Sequence, residues 1–418
     1  MRAKRIAFYG NFGSGNLGNE CTLQVVVEQV RTLWPDAQLL CLCTAPPDVQ
    51  SRHRIRAVRA FVDRAEALPP HSRAPAARDA AALARGVLRF VFRRIPLEAL
   101  HWVRGFAILA GCDMLIMPGV QILSDPACAP GGWPYDLFKW STLAAMCRVE
   151  LLYLSIGVGS VRHPLSRWLV ARSLRRARYR SYRDRESMRS AERLGLSTER
   201  DRLYPDLAFG LATPCAGARA SAHLGRRIVG LGLKSCAGSA TQTGTFAYRE
   251  YLEKMAQFVS WLHAQHYAVR LLIGDLQYDI APRDDLITIL HGRHVAAAPP
   301  SLVAEVPASV GDWVRQLSDT EVVIGSRLHN LILALMLGKP VIALSDHAKV
   351  DALLAELGLG RYRMPVETFS LDGLVACFED LECNAARLRR HIGTATQMYG
   401  RALRTQYAQV FSESRLAA

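Results

Sequence analysis

VVIGSRLHNLILALMLGKPVIALSDHAKVDALLAELGL, residues Val322–Leu359, contains one complete strand–helix–strand unit. The short apolar run Val322–Ile324 stops at Gly325, and the spacing of apolar residues over Leu328–Met336 is that of a largely buried helix. Gly338-Lys339-Pro340 ends that helix, and Val341–Leu344 begins a second strand. Short apolar strands joined by a helix of this length form βαβ units, and those build parallel sheets. Ser326 is a candidate N-cap. Arg327 and His329 then stand at a helix N-terminus beyond the carboxyl end of a strand, where open α/β sheets bind ligands. The helix dipole and backbone N–H groups favour an anion there. Arg327 adds a planar two-pronged cation, and His329 a proton carrier near neutral pH. Past the next strand, the loop Ser345-Asp346-His347-Ala348-Lys349 brings Lys349 to the same edge as a second cation. An isolated Arg-x-His more often pairs with a surface carboxylate and caps a helix. Here Arg, His and Lys converge on one edge, which favours a binding role.

Outward from this unit the same alternation repeats. Strands are expected at Arg5–Tyr9, Gln38–Cys43, Met114–Met117 and Leu151–Ile156, with a helix over Cys21–Leu33. From Thr44 to Arg85 the chain is rich in Ala, Pro and Arg and reads as an insertion or loop. Thr213–His223 is almost wholly small or polar and reads as an interdomain linker. A second series follows: strand Ile228–Leu233, helix Tyr248–His263, strand Val269–Ile273, then the unit quoted above. Ala385–Val410 reads as one helix or two, and no short repeat is present. The expectation is an α/β protein of two doubly wound, Rossmann-like domains facing a cleft. Its parts are 1–212, a linker at 213–223, a second domain at 224–384, and a helical segment at 385–418.

The chain has 418 residues, half of them hydrophobic and 21% charged, enough to bury two cores. Its 52 Lys and Arg against 37 Asp and Glu give a formal charge of +15, which draws polyanions: nucleic acid, acidic membrane surfaces or phosphorylated substrates. No helix-turn-helix, RNP or zinc pattern supports nucleic acid. The 10 Cys include no C-x-x-C; Cys41 and Cys43 are the close pair, and Cys147 and Cys236 read as small buried hydrophobes. The opening MRAKRIAFYG lacks the apolar core of a signal peptide, and no 18-residue apolar run is present, so a cytoplasmic, non-spanning protein is expected.

After the first strand comes Gly10-Asn11-Phe12-Gly13-Ser14-Gly15-Asn16-Leu17-Gly18-Asn19-Glu20. Gly13, Gly15 and Gly18 have the G-x-G-x-x-G spacing, which lets backbone approach a phosphate at a helix N-terminus. A dinucleotide site also needs an acid closing the second strand, and Cys41-Leu42-Cys43-Thr44 has none, so the NAD reading loses its support. Two readings remain: a tight turn that needs glycine, or a polar loop in which Asn11, Asn16, Asn19 and Glu20 meet a donor or acceptor.

Gly325-Ser326-Arg327-Leu328-His329, with Gly338-Lys339-Pro340-Val341-Ile342 and Lys349, resembles the signature of polysaccharide pyruvyl transferases. GNFGSGNLGNE, CDMLIMPGVQILSD (Cys112–Asp125), LSIGVG (Leu154–Gly159), Tyr182-Arg183-Asp184 with Ser187, and Tyr204-Pro205-Asp206 fall in the family's order. The chain departs from the family's Gly-Asp-Glu at Gly18-Asn19-Glu20, and from its Gly-Gly-Gly run at Pro118-Gly119-Val120. The resemblance implies a GT-B-like transferase. Such an enzyme moves the enolpyruvyl unit of phosphoenolpyruvate onto two hydroxyls of a saccharide or lipid-linked saccharide in exopolysaccharide biosynthesis, forming a cyclic ketal. It further implies Arg327 and His329 as catalytic, with Arg183, Arg327, Lys349 and Ser326 holding the donor. Asn11, Asn16, Asn19 and Glu20 would hold the acceptor. No metal and no cofactor beyond the donor is implied. Arg183 can also be one of the solvated arginines of a helix-like stretch, Arg172–Arg189, and Asp206 a turn-former. The rival is a nucleotide-sugar glycosyltransferase of the same architecture. Many of these hold the donor ribose with a Glu in the second domain, and neither Leu328–Met336 nor the loop after Val341–Leu344 contains one. Finally, Leu83–Phe106 interleaves Arg85, Arg89, Arg93, Arg94 and Arg104 with apolar residues. It is either a helix packed on the sheet with its arginines in water or a peripheral contact with an anionic membrane.

Overall fold

The computed structural model describes residues 3–61, 95–119, 123–125, 130–212, 226–233, 242–292 and 302–416. Short β-branched and apolar runs form the strands: β1 Arg5–Tyr9, β2 Gln38–Cys43, β3 Arg56–Arg59, β4 Met114–Pro118, β5 Glu150–Ile156, β6 Tyr179–Tyr182 and β7 Arg202–Leu203. They make one sheet in the order β3-β2-β1-β4-β5-β6-β7, and every pairing is parallel. Interior strands are apolar on both faces because helices cover both sides: β4 is buried throughout. Then come β8 Ile228–Gly232, β9 Ala268–Leu271, β10 Leu302–Val303, β11 Val322–Gly325, β12 Val341–Leu344 and β13 Arg363–Met364. These form a second parallel sheet, β10-β9-β8-β11-β12-β13. In each sheet the order reverses beside the first strand, between β1 and β4 and between β8 and β11. Those reversals are the switch points at which ligands bind in doubly wound folds.

The α/β fold of two Rossmann-like units is therefore present. One unit comprises Met1–Gly13 with Val26–Leu203, the other Ser14–Val25 with Tyr204–Ala418. The sequence placed all of 1–212 together; in the structure the division falls at Leu203/Tyr204, and the start of helix Leu17–Leu33 groups with the second unit. Backbone hydrogen bonds supply the reason: Leu17 N–H donates to Gly274 O at 3.0 Å and Leu276 N–H to Gly15 O at 2.8 Å. The linker read at 213–223 lies outside the described residues.

Two local expectations need correcting, and a third is narrowed. Thr44–Arg85 is not all loop, since helix Pro46–His53 and β3 occupy its first part, with prolines at the first two helical positions where no N–H is needed. Arg172–Arg189 is not one helix: helix Pro164–Leu174 ends, β6 intervenes, and helix Arg185–Arg193 begins after Asp184, whose carboxylate accepts Ser187 N–H at 2.6 Å. Ala385–Leu416 is a single helix in the second unit. Among the cysteines, Cys41 and Cys43 are buried in β2, and Cys147 is half-buried, its thiol pushed up by burial; Cys236 lies outside the described residues.

Candidate active site

In the second unit, helix Leu328–Met336 starts where β11 ends, beside the β8/β11 switch point. Its cap is Arg327, in extended conformation and without a side-chain cap hydrogen bond; Ser326, expected to cap, sits one residue earlier and is buried. The Arg327 guanidinium donates from Nε and Nη2 to Asp279 Oδ1 at 2.8 and 2.5 Å. The other oxygen of Asp279 accepts the N–H groups of Gly274 and Asp275, both at 3.0 Å. Asp279 is 2% exposed, and burial raises its carboxyl above the ordinary range against the pull of Arg327. The arginine expected to grip an anion is thus already held by a buried carboxylate on the loop after β9, which fixes its direction.

His329 lies in the first turn of the helix, its imidazole Nε2 3.9 Å from Asp206 Oδ1. Asp206 is also a turn-former, accepting Ala208 N–H at 3.0 Å at the start of the 3-10 turn Leu207–Gly210. The other side of the ring lies on Gly18, where a Cβ would come within 2.0 Å of Nδ1. That close approach explains the third glycine of the first loop. Gly13 and Gly15 have a different reason, positive φ of 76° and 83°.

The first loop is tied to the loop after β9. Asn16 Nδ2 donates to Asp275 Oδ2 at 2.8 Å, and Asn16 Oδ1 accepts Asn19 N–H at 3.1 Å. Asp275 Oδ1 accepts the N–H groups of Gln277 and Tyr278 at 3.0 and 3.3 Å. Asn16 therefore uses both ends of its amide within the protein. Glu20 is fully buried, whereas Asn19 is half-buried. Lys349 is half-buried in the first turn of helix Ala348–Glu356, past the end of β12, the strand next to β11.

Two expected residues belong to the first unit. Asn11 Oδ1 accepts from Thr44 Oγ1 at 2.8 Å. Arg183 follows β6 with its guanidinium packed on Gly157, where a Cβ would lie 2.6 Å from Nη2. It is 6% exposed beside Asp184, at an Nε–Oδ2 separation of 3.4 Å, so it is not a solvated helix arginine. The second unit thus holds Asn16, Asn19, Glu20, Ser326, Arg327, His329 and Lys349, and the first Asn11 and Arg183.

The polysaccharide pyruvyl transferase family model matches residues 16–347. The chain belongs to the polysaccharide pyruvyl transferase family. It is accordingly a transferase acting in polysaccharide biosynthesis. No match was found among curated proteins. Among solved structures, the fold is similar to a putative UDP-N-acetylglucosamine 2-epimerase from Listeria monocytogenes, at TM-score 0.60 and 11% identity over 99% of this chain and 97% of that one. It is similar to a glycosyltransferase from Rickettsia africae, at TM-score 0.58 and 9% identity over 98% and 99%. It is also similar to the UDP-GlcNAc 2-epimerase of Neisseria meningitidis solved with UDP-GlcNAc, at TM-score 0.54 and 11% identity over 96% and 100%. At such identities the likeness is one of fold, GT-B-like, as expected of this transferase.

Three residues of the site were not singled out in the sequence. Asp275 and Asp279 follow Gly274 just beyond a strand, a pattern that points to loop carboxylates at a sheet edge. Asn330, next to His329, is wholly buried, and neither end of its amide has a hydrogen-bond partner among the described residues. It lies against two glycines: a Cβ on Gly232 would be 2.6 Å from Nδ2, and one on Gly274 3.0 Å from Oδ1. An unmet buried amide costs about 1–3 kcal/mol. Among the described residues no cluster of His, Cys, Asp and Glu could hold a metal ion, and no helix is long and apolar enough to cross a membrane.

Proposed function

We propose that this family member transfers the enolpyruvyl group of phosphoenolpyruvate to two hydroxyls of a saccharide precursor, giving a pyruvate ketal and inorganic phosphate. The observation that carries the proposal is His329 set between Gly18 and the Asp206 carboxylate at a helix N-terminus, beside an arginine aimed by Asp279. In the reaction one hydroxyl oxygen adds to the enol carbon, and the proton it gives up is matched by the one that the methylene gains to become a methyl. Phosphate then leaves with the C–O bonding electrons, the second hydroxyl closes the ketal, and its proton goes to the departing phosphate. His329 is the group proposed to carry protons, with the Asp206 carboxylate 3.9 Å from its Nε2. Arg327, Lys349 and Ser326 are proposed to hold the donor's phosphate and carboxylate, and Arg183 stays a proposed donor-binding residue of the first unit. Of the residues expected on the acceptor side, Asn11 and Asn19 keep that proposed role. Asn16, engaged at both ends, and Glu20, wholly buried, are proposed to hold the loop instead.

Nucleotide-sugar transfer is the second reading, favoured by the solved relative of this fold that binds UDP-GlcNAc. Thermal shift separates the two. Millimolar phosphoenolpyruvate should raise Tm by mass action, while UDP-, GDP- and CDP-sugars leave it unchanged. A rise with a sugar nucleotide and none with phosphoenolpyruvate would transfer the proposal to the glycosyltransferase reading.

A further inference from the structure

In the first unit, helix Ile95–Leu109 shows water a face that water-facing helices avoid. Ile95, Leu100, Val103 and Phe106 are exposed, Val103 by 66%, and at 100° per residue they fall in one band with Ala99 and Ala107 between them. Gly105 and Leu109 form the buried side. The helix packs on helix Trp133–Met146, which packs in turn on helix Pro164–Leu174, so three helices lie abreast. The outer helix adds exposed Leu165 and Trp168.

The charges on this layer are of one sign. Its three helices contain two acids, Glu98 and Asp136, and both are ion-paired to the buried Lys139, at 2.7 and 3.3 Å. Exposed on the same helices are Arg104, Arg167 and Arg172. Apolar side chains flanked by guanidinium groups and cleared of free carboxylates complement one kind of surface. At a layer of anionic lipid, alkyl and indole groups enter at headgroup depth while arginines meet phosphates. A second copy fits less well, because a two-fold contact would set arginines against arginines with no acid to answer them.

We propose that this helix layer is the surface by which the protein rests on an anionic membrane, with helix Ile95–Leu109 lying in the interface plane. The proposal stands apart from the chemistry of the second unit, and neither depends on the other.

Flotation of the full chain with vesicles tests it. The protein should float with phosphatidylglycerol-containing vesicles and not with pure phosphatidylcholine, and high salt should weaken the association. Val103→Glu/Phe106→Glu places charge on solvent-facing positions and should lower partitioning at least about tenfold, with Tm unchanged. Arg104→Glu, which leaves the apolar band intact, should also lower it, and serves if the double variant fails to fold. Absence of wild-type flotation, or flotation unaffected by either variant, would overturn the proposal. So would a wild-type dimer in sedimentation that the double variant dissolves, since that outcome assigns the face to a second copy.

Discussion

The two sheets begin with the same strand order, third-second-first-fourth-fifth-sixth, yet their carboxyl ends are furnished differently. Around the second sheet stand three buried carboxylates, Asp206, Asp275 and Asp279, each already accepting backbone N–H groups, and they hold Asn16 and Arg327 or stand beside His329. At the ends of the first, a threonine holds Asn11, and Arg183 lies over a glycine. Topology offers a ligand site in both units; among the described residues the first also has carboxylates, Asp125 and Asp184, but it is the second whose carboxylates hold Arg327 and Asn16 and stand beside His329. This contrast teaches that a shared fold locates a crevice, while the loops beyond the strands decide which crevice does chemistry.

The contrast is sharpest at His329. His329→Gln should lower kcat about 10²- to 10⁴-fold while donor affinity stays within a few-fold, as expected for loss of a proton carrier. Full activity in that variant would break the assignment. Next comes Gly18→Ala, where the new methyl must displace the imidazole. Overpacking of this kind costs about 1–3 kcal/mol, and here kcat should fall while far-UV circular dichroism is unchanged. A smaller effect is expected at Arg327→Lys, which cannot use two nitrogens on Asp279. Donor affinity should weaken by roughly tenfold, the worth of one charge-assisted hydrogen bond, measured by calorimetry. Smallest of all is Asn11→Ala in the first unit: acceptor KM should rise about two- to fivefold, within the ~0.5–1.5 kcal/mol of one neutral hydrogen bond, with phosphoenolpyruvate binding untouched. If Asn11→Ala damaged donor binding more than Arg327→Lys does, the assignment of Asn11 to the acceptor and Arg327 to the donor would be reversed.

Much of this was legible in the chain. β1, β2, β12 and helix Leu328–Met336 fall at the residues their apolar runs mark, because buried parallel strands and their covering helices leave periodic signals. The short edge strands β7, β10 and β13 left none; two residues carry no period. β6 was hidden because Tyr179-Arg180-Ser181-Tyr182 holds an arginine in mid-strand, which the structure accommodates by pairing it with Asp201 at 3.0 Å. At the site, the RLH segment could be read because it sits beside a strand end in sequence. Asp279, 48 positions before Arg327, could not be paired with it from spacing, since only β9 lying beside β8 brings its loop close. Gly18 showed itself as a glycine, but its partner His329 is a tertiary fact.

The seat of Asp206 has a consequence for the order of synthesis. The 3-10 turn it opens is packed by helix Ala385–Leu416: the Phe209 and Tyr399 rings meet edge to face at 4.8 Å, and Leu403 and Tyr407 close over Gly210. A growing chain therefore carries His329 out of the ribosome well before the helix that braces its carboxylate neighbour exists. The apparatus proposed to move protons is then expected to be complete only after that helix has docked. A nascent chain is then expected to be inert toward its own donor until that moment.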